Sequence, residues 1–170
     1  MIVYSNSIKN FCNEINDISI ILNNRLKSTM HKFSNKSEID SWSKSLKYFS
    51  EILISSTLED SITITLEYNI PLTSNRIDLI LSGYNEFREP ILLIFELKQW
   101  SKVNILCDSE YLVETFLNSN IQKVVHPGYQ VWSYSEILKD YNKYIQDNKI
   151  KIYPCLLMHN YKISKDEILL

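Results

Sequence analysis

Residues 76–83 (RIDLILSG) and 91–100 (ILLIFELKQW) are two apolar runs of strand length, and both are interrupted by charge. Asp78 sits in the middle of the first run, and Glu96 and Lys98 break the second. A carboxylate inside an apolar strand is costly to bury unless it is paired or bound to a metal. These residues therefore constrain both the fold and its chemistry. The loop between the runs, YNEFREP, is polar and holds a proline, and a hairpin is the simplest connection. Side chains alternate along a strand, so Glu96 and Lys98 share one face, and Asp78 can lie beside Glu96 across the hairpin.

The flanking segments supply the rest of a fold. Ile62, Ile64, Leu66 and Tyr68 alternate with Thr63, Thr65, Glu67 and Asn69, which reads as a half-buried strand ended by Pro71. Upstream the hydrophobic period changes. Ile39, Trp42, Leu46, Phe49 and Leu53 recur at gaps of three or four, predicting a helix over 38–55 with Ser37 as its N-cap. Ile8, Phe11, Ile15, Ile18, Leu22 and Leu26 have similar gaps, so residues 6–30 read as helices broken near Asp17. Residues 103–125 read as an excursion of short strands. Pro127 opens a helix to about Gln146, with Gln130, Tyr134, Ile137, Tyr141 and Ile145 on one side. KIYPCLLMHNY (151–161) reads as a last strand. This order predicts an α/β fold, a small mixed β-sheet flanked by helices. One domain is expected over 1–170, with an N-terminal helical segment at 1–36 and the core at 37–161.

Composition narrows the function classes. At 170 residues and 45% hydrophobic, the chain can bury a real core and is too apolar to be disordered. A net charge of −2 leaves no general basic footprint, so any nucleic-acid binding must come from a local patch. Cys12, Cys107 and Cys155 are odd in number and far apart, which argues against disulfides and zinc and for partly buried, reduced thiols. No apolar run approaches the ~18 residues of a membrane span, and the start lacks a secretory signal. A cytoplasmic protein is expected. No G-x4-G-K-[ST] occurs, so no ATP-driven motor is encoded in these residues.

The charged strand residues suggest a reaction. Two carboxylates with an ammonium nearby are hard oxygen ligands suited to Mg²⁺ or Mn²⁺. Such an ion activates water and neutralises phosphate oxygens. Lys98 can orient that water or stabilise charge developing on phosphorus. Glu67, on the polar side of its strand, can supply a third carboxylate. Glu51, an alternative third acid, lies off the apolar stripe of its helix and is expected to face solvent. Arg76 shares the strand face of Asp78, where it either binds phosphate or pairs with Glu67 or Asp78.

The spacing Asp78-x17-Glu96-Leu97-Lys98 resembles the D-(x)n-E-x-K core of PD-(D/E)XK nucleases, and Gln130-Val-Trp-Ser-Tyr134 resembles the Q-x3-Y motif of their RecB-type branch. Four apart on a helix, Gln130 and Tyr134 can reach one cleft. Most of the chain also resembles the N-terminal nuclease-like domain of bacterial proteins in which that domain precedes a Schlafen/helicase-type P-loop domain. The residues that carry this are MIVYS (1–5), SWSKSL (41–46), LEYNIPLTSNRIDLIL (66–81), FELKQWSKV (95–103), HPGYQVWSY (126–134) and PCLLMHNY (154–161). One departure is Ile77, where the motif name has proline.

The resemblance implies a restriction-endonuclease-like core and a metal-dependent nuclease, with DNA expected as substrate ahead of RNA. Asp78, Glu96 and the Leu97 carbonyl, with Glu67, would hold Mg²⁺ or Mn²⁺. Lys98 would position the attacking water, and Gln130 would complete the site. Arg76, Tyr134, His126 and Lys102 are the candidates for nucleic-acid contact. For His126, beside a helix N-terminus, the alternative is a structural role. Lys102 and Lys123 either track phosphate or are simply solvated. Trp100 and Tyr129 can stack on a base or pack at the rim. Trp42 and Trp132 fit core stripes, and the tyrosines of 129–144 are expected in helix–sheet packing. His31 and His159 have no partners at ligand spacing. The alternative function is a catalytically silent nucleic-acid-binding or interaction module that works with a separately encoded helicase-type P-loop partner.

Overall fold

The computed structural model describes residues 2–31, 34–117 and 119–162, so Met1 of the MIVYS segment lies outside it. The elements run β1 (Ile2–Ser7), α1 (Ile8–Asn13), α2 (Ile18–Met30), α3 (Lys36–Ser55), β2 (Thr63–Asn69), β3 (Arg76–Tyr84) and β4 (Pro90–Lys98). Then come β5 (Asn104–Ile105), β6 (Leu112–Leu117), β7 (Asn120–Val125), α4 (Pro127–Tyr141), α5 (Lys143–Asp147) and β8 (Lys151–Met158). The chain is α/β, with a mixed five-stranded sheet ordered β1-β2-β3-β4-β8. Only the β4–β8 pair is parallel. The excursion between β4 and α4 forms its own antiparallel sheet, β5-β6-β7. No helix among the described residues is long and apolar enough to cross a membrane.

Helices cover both faces of the main sheet. On one face, Leu22 and Leu26 of α2 and Trp42, Leu46, Phe49 and Leu53 of α3 pack with Ile64, Leu66, Leu79 and Leu81. Of the predicted stripe, Trp42, Leu46, Phe49 and Leu53 are buried and Ile39 is half-buried against them, because gaps of three and four keep side chains on one side; Ser45 and Ser50 join the buried face. On the opposite face, Val131, Tyr134 and Leu138 of α4 and Ile145 of α5 pack with Ile77, Ile80, Ile94 and Ile152. The β3–β4 hairpin forms as expected. Its turn is held by Asn85 Oδ1, which accepts the N–H groups of Phe87 at 3.0 Å and Glu89 at 2.9 Å, local pairing typical of a turn asparagine.

Several expectations are corrected. Ile2–Ser7 is a strand paired antiparallel with β2, so the expected N-terminal helical segment opens with a strand of the sheet before its helices α1 and α2. The N-cap of α3 is Asn35, whose side chain accepts from the Glu38 N–H, rather than Ser37. The helix expected to reach about Gln146 breaks at Asn142, whose side chain caps α5 by accepting from the Ile145 N–H. Its buried stripe is Pro127, Val131, Tyr134, Ser135 and Leu138. That stripe leaves Tyr129, Trp132, Tyr141 and Tyr144 exposed rather than packed on the sheet. Cys107 is exposed rather than partly buried, and all three cysteines are free.

The alternation of faces fails at one place in each of two neighbouring strands. Leu66 faces the α3 side, yet Tyr68, two residues on, packs on the α4 side. Leu79 faces α3, yet Ile77 packs against α4. The residues at these reversals are Glu67 and Asp78. Glu67 has φ +57°, a left-handed conformation rare for a non-glycine residue inside a strand. It turns the chain over and lets one strand serve two cores. Local strain of this kind persists only where the surroundings hold it, and it gathers at functional sites.

Candidate active site

The reversals place three acids side by side. Leu66 pairs with Leu79 and Tyr68 with Ile77, so Glu67 stands opposite Asp78. Leu79 pairs with Phe95 as the last rung between β3 and β4, and the next position in that register sets Asp78 opposite Glu96. Glu67, Asp78 and Glu96 thus form one row across β2, β3 and β4. At this row β3 and β4 part, and Asp78 Oδ2 accepts the Leu97 N–H at 2.9 Å in place of a ladder bond. Beyond it β4 continues against β8, from Glu96–Leu156 to Lys98–Met158.

Each outer acid is held from a different helix layer. Glu67 is 2% exposed, and its Oε1 accepts Trp42 Nε1–H of α3 at 2.8 Å. Its Oε2 forms an ion pair with Arg76 Nε at 2.5 Å, without hydrogen-bond alignment. Arg76 also donates to Glu38 Oε1 at 2.9 Å. Glu96, also 2% exposed, receives Lys98 Nζ at 2.6 Å and Gln130 Nε2 of α4 at 2.8 Å, both on Oε1. Gln130 Nε2 also donates to the Tyr134 hydroxyl at 3.1 Å. Glu96 Oε2 is buried and has no partner.

The three acids, with Trp42, Arg76, Glu38 and Lys98, line a cleft of about 320 Å³ between α3 and the sheet. Glu38, Glu67, Asp78 and Glu96 face Arg76 and Lys98 across it, so full ionisation would leave two uncompensated negative charges. The electrostatics show the cost. Burial pushes Glu96 up to about 7, Asp78 adds to the rise, and Lys98 and Gln130 oppose it. Burial pushes Glu67 up to about 8, against the pull of Arg76. Asp78 is also raised by burial, despite the Leu97 N–H and the Lys98 and Arg76 charges. Among the described residues no group of three His, Cys, Asp or Glu side chains stands arranged to hold a metal ion. In this arrangement Lys98 sits on Glu96 Oε1 and Arg76 on Glu67 Oε2.

A pH dependence follows for the metal-free protein. Between the ordinary glutamate value near 4.5 and the folded values near 7 and 8, the folded state holds protons that the unfolded chain releases. Stability from these groups is therefore full below the unfolded value and is lost as pH rises through about 7 to 8. Thermal melts in EDTA should give a higher Tm near pH 6 than near pH 8.5; a Tm that rises across this window contradicts the assignment.

The other sequence candidates divide. Gln130 reaches Glu96 of the acid row, whereas Tyr134 is buried in the α4 core and meets the row only through Gln130 Nε2; neither lines the cleft. Arg76 takes the structural alternative, paired to Glu67 and Glu38. The His126 ring caps α4, with Nδ1 accepting the Gly128 N–H at 3.0 Å, so its place is structural. It lines a separate cleft with Val103, Pro127 and Met158. Lys102 is exposed and lines a hollow of the small sheet with Glu114 and Phe116, not the acid cleft. Lys123 is exposed and pairs in register with Glu114. Trp100 lies under Lys98, whose Nζ is 5.6 Å from the ring centre. Glu51 faces solvent. His159 stacks on Tyr48.

Sequence reasoning missed Glu38 and the polar role of Trp42. The signal was present in the α3 spacing. Glu38, Ser41 and Ser45 recur at three and four residues beside Trp42, and all four line the cleft. Gln99 ties this polar side to the end of β4, donating to Ser41 Oγ at 3.0 Å and Ser45 Oγ at 3.2 Å. No family model, curated protein or solved structure matches this chain.

Proposed function

We propose that this chain is a divalent-metal-dependent nuclease with a restriction-endonuclease-like core, hydrolysing phosphodiester bonds of DNA in preference to RNA. The observation that carries this reading is the row of Glu67, Asp78 and Glu96, with Lys98 and Gln130 both on Glu96. Buried carboxylates with raised proton affinity cluster where chemistry needs them.

The donor set fits a hard divalent cation. Its atoms are carboxylate oxygens, Glu96 Oε2 lacks a partner, and the cleft's surplus of two negative charges matches Mg²⁺ or Mn²⁺. Asp78, Glu96 and the Leu97 carbonyl, with Glu67, would hold it. When bound, such an ion supplies an acidified water and charge neutralisation at phosphate. The remaining work falls to this chain's own residues. Gln130 fixes the Glu96 carboxylate from α4, and Trp42 fixes Glu67 from α3. Lys98, partly buried at the row's end, orients the attacking water or steadies charge on phosphorus.

A second reading has one observation in its favour. Lys98 and Arg76 already neutralise two of the acids, as they would in a silent nucleic-acid-binding or interaction module working with a separately encoded helicase-type P-loop partner. Incubation of wild type with single- and double-stranded DNA and RNA, in Mg²⁺, in Mn²⁺ and in EDTA, separates the two. Cleavage of DNA with either ion and none in EDTA is expected of the nuclease. Binding without cleavage under every condition overturns it in favour of the silent module.

A further inference from the structure

At the start of α4, three exposed rings touch in series. Tyr111 is 54% exposed, Tyr129 45% and Trp132 47%. Ring centres lie 5.8 Å apart for Tyr111–Tyr129 and 5.4 Å for Tyr129–Trp132, with interplanar angles of 40° and 42°. The rings are tilted rather than closed into a parallel stack, so ring surface remains open to solvent.

The platform beneath them is fixed. Tyr129 and Trp132 are three apart near the start of α4 and so neighbour each other on its surface. Tyr111 is tied to the same helix start by the His126 N–H, which donates to the Tyr111 carbonyl at 2.8 Å. Between the two α4 rings in sequence is Gln130, whose amide reaches Glu96. The middle ring therefore grows from the residue next to one that holds the acid row.

We propose that Tyr111, Tyr129 and Trp132 form a stacking platform that receives the bases of single-stranded nucleic acid and leads the strand to the acid cleft. Charge decides against a duplex. The chain carries 18 basic and 20 acidic residues, and both bases of the cleft, Arg76 and Lys98, are ion-paired. Duplex binding draws its strength from phosphates neutralised by Lys and Arg, and duplex bases are already stacked on each other. A single strand offers open base faces, and stacking of those faces on aromatic rings adds a contribution that a closed duplex cannot give. The substrate class rests on the nuclease reading, but the platform's own test contains no metal and reads no cleavage.

That test is fluorescence anisotropy in EDTA with a labelled oligothymidylate of about 15 nucleotides, within the span of known single-strand sites, and with a duplex of equal length. Wild type should bind the single strand more tightly than the duplex. Tyr129→Ala and Trp132→Ala should each weaken single-strand binding about 10-fold or more, while Trp132→Phe stays near wild type. Circular dichroism should show all variants folded, since both side chains are exposed. Unchanged binding in the alanine variants overturns the platform, as does a preference for duplex. So does a change from dimer to monomer in Trp132→Ala on sedimentation with DNA binding intact, which would assign the rings to a second copy. Ring-dependent binding without Mg²⁺-dependent cleavage would sink the nuclease reading and leave the platform standing.

Discussion

Replacing Glu96 with glutamine is expected to lower Mg²⁺-dependent DNA cleavage by about 10³-fold or more, with the fold retained. Glutamine keeps the side chain's volume and an oxygen for Gln130, and it removes a charge that burial and Asp78 already disfavour. Stability should therefore hold or rise as activity falls, which separates the effect from unfolding. Lys98→Ala makes the complementary case. It should cost about 10²–10³-fold in cleavage yet keep or tighten divalent-ion binding, because Nζ competes for Glu96 Oε1 and is not a ligand. Cleavage rates for both variants, read beside their melting curves, check the pair. Equal cleavage by wild type and Glu96→Gln contradicts the assignment.

Leu79→Ala is expected to be the most damaging change to the fold. Leu79 is fully buried next to Asp78, against the α3 layer, and it pairs with both Leu66 and Phe95. Truncation there should cost about 3–4 kcal/mol through lost burial and a residual cavity, lowering Tm by roughly 10 °C in a chain of this size. Because Leu79 also anchors the last rung before the acid row, cleavage should fall with stability. Ile54→Ala, on the exposed side of α3, should stay within about 0.5 kcal/mol. Urea unfolding of both variants measures the contrast, and equal costs would contradict the packing described.

What the sequence made legible, and what it hid, divides on local grounds. The α3 stripe, the β3–β4 hairpin and the Asp78–Glu96 neighbourhood follow from gaps of three and four, or from alternation, within ten or twenty residues. The strand β1 did not announce itself, since IVYSNS is short and half polar and its pairing partner lies some sixty residues away. The face reversal was hidden for another reason. Glu67 adopts a left-handed backbone that glycine would signal and glutamate does not. Alternation alone puts Glu67 on the polar side of β2; the reversal is what brings its carboxylate to Trp42 of α3. On α4 the tyrosines and Trp132 misled, because amphipathic rings fit a core stripe and an exposed ladder equally well. The buried face turned out to be set by Val131, Tyr134, Ser135 and Leu138.

The central claim is that the acid row is a divalent-cation site. Calorimetric titration of Mn²⁺ and Mg²⁺ into wild type and Asp78→Asn, each with and without a short single-stranded DNA, tests it most directly. Saturable binding to wild type that is abolished or greatly weakened in Asp78→Asn is expected. Equal binding by both proteins, or none by wild type even with DNA present, would contradict it.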